Sequence, residues 1–218
     1  MKKISLLCVL LLSFGCSQEI KIIDKPIDFK KERIEGTKEY IKKHYGLSVK
    51  NINITPKIIV LHWTAIPTLE KSYAFLKPQK LANRPELKNA GNVNVSAHFL
   101  VDRDGTIYRL MPEKWMARHI IGLNYTAIGI ENVGGENNEI EDLTPAQVKA
   151  NIALVKYLKK KYPTITRLIG HHEYGNMNGT KCWLEKDSSY FTEKKDPGDK
   201  FMSDVRDGVK DLKLQGAK

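Results

Sequence analysis

The chain has 218 residues, of which 41% are hydrophobic and 28% charged, and its formal net charge is +11. Roughly 200 residues of that composition build one ordinary core, which excludes a disordered or fibrous chain. The basic balance suits a polyanionic partner, but with no arginine-rich tract or nucleic-acid motif, nucleic acid is not expected.

The first sixteen residues, MKKISLLCVLLLSFGC, place Lys2 and Lys3 before an apolar stretch over residues 4–14. That stretch falls short of the roughly 20 apolar residues of a membrane-spanning helix, so residues 1–15 read as an export signal. Cys16 resembles the acylated cysteine of a bacterial lipoprotein, although Leu12 and Phe14 depart from the usual spacing. The mature chain is therefore expected outside the cytoplasm, lipid-anchored in the cell envelope and facing the periplasm. With Cys8 removed and Cys16 acylated, Cys182 has no partner for an intramolecular disulfide.

Residues 16–56 are expected to be a tether and N-terminal extension, because the charge-rich stretch to about residue 35, broken by Pro26, suits a linker. The folded domain is expected over residues 57–218. It starts with KIIVLHW, a continuous β-branched run that reads as a buried strand with His62 at its C-terminal end. Thr68 caps a helix through LEKSYAFL, which Pro78 ends. In VSAHFLVDRDGTIYRLM, Asp104 and Gly105 supply the turn of a hairpin.

AIGIENV is the next strand, and its alternation puts Ile128, Ile130 and Asn132 on one face and Gly129 and Glu131 on the other. Thr144 and Pro145 open a helix whose apolar stripe is Val148, Ile152, Val155, Leu158 and Tyr162, stopped by Pro163. TRLIGH is a strand that delivers His171. Strand, helix, hairpin, strand, helix, strand implies an α/β fold, a mixed central sheet flanked by helices in one domain.

His62, His171 and Asp196 in EKKDPG look like the facial ligand set of a catalytic zinc ion, since two imidazoles and a carboxylate leave a fourth position open for water. On residue types alone His172 competes with His171, and Cys182 competes with Asp196. Strand alternation lets only one of the two histidines face the site. Asp102 and Asp104 lack the glutamate that would complete a calcium loop, so no second metal is assigned. Trp63, Trp115 and Trp183 read as core or cleft-wall residues.

VLHWTA, SAHFLVDRDGTIYRL, ARHIIGLNYTAIGIENVGG, LTPAQ, IGHHE and KKDPGDKF follow one another over about residues 57–201. In that order they resemble the zinc-dependent N-acetylmuramoyl-L-alanine amidases, which share their fold with peptidoglycan recognition proteins. The resemblance implies an amidase fold, Zn2+ on His62, His171 and Asp196, Glu131 as the catalytic carboxylate and Lys194 as a second catalytic cation. It places His98 and His119 near the cleft as substrate contacts, with peptidoglycan or muropeptides as substrate. The stretch 174–193 is longer than in compact family members and contains Cys182, and some phage relatives use cysteine as the third ligand. A recognition module that binds muropeptide without cutting it typically lacks one or more of the ligands, and here every one is present.

Overall fold

A computed structural model describes residues 20–81 and 91–217. The expected signal peptide and Cys16 lie outside those residues. In chain order the elements are β1 (Ile22–Asp24), α1 (Lys31–Tyr40) with a π-helical extension (Ile41–Tyr45), β2 (Ile58–Trp63), α2 (Leu69–Leu76), β3 (Phe99–Val101), β4 (Ile107–Arg109), β5 (Ala127–Asn132), α3 (Pro145–Lys161), β6 (Arg167–Gly170) and α4 (Asp199–Gly208). The strands form one six-stranded sheet in the order β1-β4-β3-β5-β2-β6. Among these described strands only β3 and β4 pair antiparallel, so the sheet is mixed as expected.

β2 is buried along its whole length, and its alternation separates two layers. Ile59 and Leu61 pack with Ile128 and Ile130 of β5 against Leu154, Val155 and Leu158 of α3 and Phe201 and Val205 of α4. Each fully buried side chain of this kind contributes about 1.5–3 kcal/mol. Ile58 and Val60 face the other way, toward Ile121, Leu123 and Tyr174. His62 continues the Ile58–Val60 face, and Glu131 sits directly opposite it in register on β5.

The hairpin forms at the expected place. Gly105 has φ +87°, the Asp104 carboxylate accepts the Thr106 N–H at 2.8 Å, and Phe99, Leu100 and Val101 pair with Arg109, Tyr108 and Ile107.

Helix α3 opens with a full capping box, in which the Thr144 hydroxyl accepts the Gln147 N–H and the Gln147 side chain accepts the Thr144 N–H. Its buried stripe is Gln147, Ala150, Asn151, Leu154, Val155 and Leu158, rotated from the expected one. Two carboxamides cause the shift. Gln147 donates to the backbone carbonyls of Val101 and Val133, and Asn151 donates to Asn132 of β5 at 2.6 Å. Polar side chains turn inward where they satisfy strand ends, which a hydrophobic-periodicity reading misses.

The N-terminal extension is the main correction. From Ile22 onward it is no tether: β1 pairs in parallel with β4, and Tyr40, Ile41 and Tyr45 join a core cluster with Ile52, Ile54 and Met116. The physical reason is Arg33, which is fully buried. Its guanidinium donates to the carbonyls of Asp28 at 2.8 Å and Leu76 at 3.0 Å, and also to Lys77 and Pro78. A charge-rich segment is thus locked onto the end of α2 by carbonyls that need a donor. Burial lowers the Arg33 pKa to about 10, while Asp28 opposes that shift.

Candidate metal centre and active-site cleft

Parallel strands deliver their C-terminal ends to one edge of the sheet, where α/β folds gather ligands. His62 is the penultimate residue of β2, beside Glu131 of β5, and His171 follows β6 directly. The turn after β6 is held by Glu173, which accepts the Gly170 N–H at 2.8 Å and pairs with Arg206 of α4 at 2.6 Å. Asp196 comes from the loop before α4. Its carbonyl accepts both the backbone N–H of His172 and the ring Nδ1–H of the same residue. His172 therefore fixes the loop, and His171 faces the site.

The Nδ1 atoms of His62 and His171 lie 3.0 Å apart, and the Asp196 Oδ2 lies 3.1 Å and 3.0 Å from them. All three residues are buried, and their ligand atoms fall within 4.8 Å of one another. Two nitrogens and a carboxylate oxygen converging on one point suit a divalent cation of the zinc type. Burial, followed by the neighbouring His171, pushes the His62 pKa down to about 4, so the ring is neutral at pH 7. Burial alone would raise the Asp196 pKa, but His171 and His62 hold it well below the usual carboxylate range. A neutral imidazole and an ionised carboxylate are the ligating forms.

Cys182 is absent from this group. It packs beside the cluster of Ile58, Val60 and Tyr174, which leaves Asp196 as the third candidate.

A cleft of about 350 Å³ opens over the triad, lined among others by Thr64, His119, Glu131, Thr192 and Lys194. Glu131 points an Oε2 into it that is buried and without a hydrogen-bond partner. Burial, followed by Asp196, raises the Glu131 pKa well above its ordinary value, and Lys194 opposes that shift.

The two remaining histidines part company. His119 lines the cleft, but its Nδ1 lies 2.9 Å from His62 Nε2. The two ring nitrogens face each other at hydrogen-bond distance, and a His62 that gave its Nδ1 lone pair to a metal would donate its Nε2–H to His119. Its ring rests on Gly129, where an added Cβ would come within 2.7 Å of it. His98 does not line the cleft. It is fully buried, with Nδ1 accepting the Gly129 N–H and Nε2 facing the Trp115 carbonyl at 2.8 Å.

Asn124 escaped the sequence reading. Its Oδ1 accepts the N–H groups of both His119 and Ile120 at 2.8 Å and so shapes the turn that carries His119. Asn132 also escaped, and it donates to the His62 carbonyl while held by Asn151 of α3. Asn132 works through a backbone group seventy residues away, and Asn124 through a short irregular turn that carries no recognisable motif.

A mixed α/β sheet with a buried set of two histidines and one carboxylate, and an unpartnered carboxylate above it, defines the class, a hydrolase with a metal-competent centre. The sequence profile described as N-acetylmuramoyl-L-alanine amidase matches residues 53–199. The chain belongs to that family and is a peptidoglycan amidase. It is 35% identical over 106 residues to an endolysin of Klebsiella phage KP32, covering 45% of this chain and 70% of that one. The endolysin of Escherichia phage T7 is 34% identical over the same shares. Among solved structures, the N-acetylmuramoyl-L-alanine amidase LysC from Clostridium intestinale superposes with a TM-score of 0.51 and 26% identity, over 89% of this chain and 99% of its own.

Proposed function

We propose that the protein is a zinc-dependent amidase that cleaves the bond between the lactyl group of N-acetylmuramic acid and the L-alanine of the stem peptide. The observation that carries this reading is the convergence of His62, His171 and Asp196 at the floor of a cleft, beneath the unpartnered carboxylate of Glu131. Zinc held by those three residues would supply Lewis acidity that brings the ionisation of water near neutral pH.

The chain's own residues would divide the remaining work. Glu131 accepts the proton of the attacking water and returns it to the departing alanine amine. Lys194 donates to the former carbonyl oxygen as negative charge gathers there. His119 holds the His62 ring, and His172 holds the Asp196 loop, so the ligand atoms keep their places.

The leader ending at Cys16 supports export and lipid anchoring in the envelope, where a basic chain meets an anionic wall. Loss of fatty-acid labelling in Cys16→Ser would be the expected result, and unchanged labelling would remove the anchor.

Digestion of purified muropeptides, followed by mass spectrometry with and without a chelator, tests the reaction. Free lactyl ends with intact L-alanine peptides, lost on chelation and restored by zinc, are expected. Shortened peptides would make the protein a peptidase, and no product with zinc added would refute hydrolysis.

A further inference from the structure

The segment that lengthens the chain after His171 builds a second groove beside the catalytic cleft. From Tyr190 to Asp196 the chain runs without helix or strand, and its residues alternate in direction. Tyr190, Thr192, Lys194 and Asp196 line the cleft, whereas Phe191 lines a neighbouring groove of about 540 Å³ with Trp183, Asn176, Asn178 and Ser188. Tyr190 borders both, so the groove continues the cleft.

Phe191 is 49% exposed, yet its ring is held firmly. It stacks on the buried Tyr174 at 5.1 Å and 18°, and Tyr174 also stacks with Trp183 at 6.0 Å and 21°. One face of Phe191 is therefore covered and the other is presented to solvent. Beside it, the carboxamides of Asn176 and Asn178 are exposed and make no side-chain hydrogen bond among the described residues.

A fixed aromatic face flanked by free amide donors and acceptors matches a pyranose ring, whose C–H face is apolar and whose edge carries hydroxyl and acetamido groups. The groove's charges are Glu185, Lys186 and Asp187, which do not select for the carboxylates of a stem peptide. A neutral sugar suits them better.

We propose that this groove is a glycan subsite, which takes the neutral N-acetylated sugars that continue from the muramyl residue whose amide is cut. The proposal rests on the amidase reading. It gives the 174–193 segment a role in favouring polymeric strands over single-sugar fragments.

The test compares wild type with Phe191→Ser and Asn178→Ala, two exposed positions outside the catalytic cleft. Each protein is titrated with a β-1,4-linked N-acetylglucosamine tetramer, with Trp183 fluorescence as readout. Each is also assayed on a single-sugar muramyl peptide and on an uncrosslinked glycan strand bearing the same peptide. We expect the tetramer to bind wild type, and Phe191→Ser to weaken it roughly 3- to 10-fold, the scale of one aromatic contact.

KM for the strand should rise by a similar factor while the single-sugar substrate is unaffected, with Asn178→Ala changing in the same direction. Failure of wild type to bind the tetramer, equal losses on both substrates, or a defect that follows peptide length instead of glycan length would overturn the subsite. If wild type binds the tetramer through Phe191 but cleaves neither substrate, the subsite stands and the amidase reading is what fails.

Discussion

Tyr174 and Thr192 are joined twice: the Tyr174 hydroxyl donates to the Thr192 carbonyl at 2.7 Å and accepts the Thr192 N–H at 3.0 Å. This clamp fixes the extended segment that carries Lys194 and Asp196 into the cleft. Tyr174→Phe keeps the ring stack and removes the clamp, at a cost of about 0.5–1.5 kcal/mol for each hydrogen bond, because Thr192 is exposed and its backbone groups can turn to water. Zinc affinity should fall by roughly 10- to 100-fold, the scale seen when a support of a ligand is lost. Chelator competition measures it, and unchanged affinity would show that the Asp196 loop does not depend on the clamp.

Glu131→Gln preserves shape and removes the proton acceptor. The variant should bind zinc as wild type does and lose roughly 10²- to 10⁴-fold in kcat. Metal analysis and steady-state hydrolysis of a muramyl peptide separate the two, and wild-type turnover would take Glu131 out of the mechanism.

Lys194→Ala should act on the transition state more than on binding. A fall of about 10²- to 10³-fold in kcat with a smaller change in KM is the expected pattern for a lost donor to developing negative charge. An effect confined to KM would make Lys194 a substrate anchor instead.

The strands after residue 57 were legible in chain order because β2 is an uninterrupted apolar run, β5 alternates apolar residues with others, and Asp104-Gly105 is a strong turn signal, whereas β1 lay hidden in the charge-rich stretch. The triad was legible as three separated motifs, with Asp196 preferred over Cys182 for the lysine two residues before it and the Pro-Gly after it, and Cys182 packs beside the Ile58 cluster, apart from the triad. His98 shows where motif reading stops. In sequence it matches a position near the cleft, as His119 does, and only the hydrogen bonds of Gly129 and Trp115 reveal that its ring is a strut inside the fold. Asn132 and Arg33 were illegible for the same reason, since their partners include backbone groups far away in the chain, whereas Asn124 caps a turn only four and five residues upstream that no motif marks.

His119 was expected to touch substrate, and its contact with His62 Nε2 at 2.9 Å argues for a supporting role. His119→Phe keeps the packing on Gly129 and deletes the acceptor. Zinc affinity should drop roughly 10- to 100-fold, with kcat largely restored when zinc is saturating. A variant with normal metal affinity and a raised KM would instead support the substrate-contact assignment.

The N-terminal segment offers a test that involves no catalysis. Arg33→Met removes a buried guanidinium and the donor it gives to the carbonyls of Asp28 and Leu76, whereas the Lys77 carbonyl keeps the Asp28 N–H and the Pro78 carbonyl keeps the Asn94 amide. Urea unfolding should show a loss of about 3 kcal/mol, because each orphaned buried acceptor carries part of its desolvation cost while the methionine recovers some packing. Lys31→Ala, an exposed lysine two residues away, should stay within about 0.5 kcal/mol of wild type. If Arg33→Met proves as mild as Lys31→Ala, residues 22–56 contribute little to the domain's stability. The tether expected from their charge would then describe their energetics better than their contacts do.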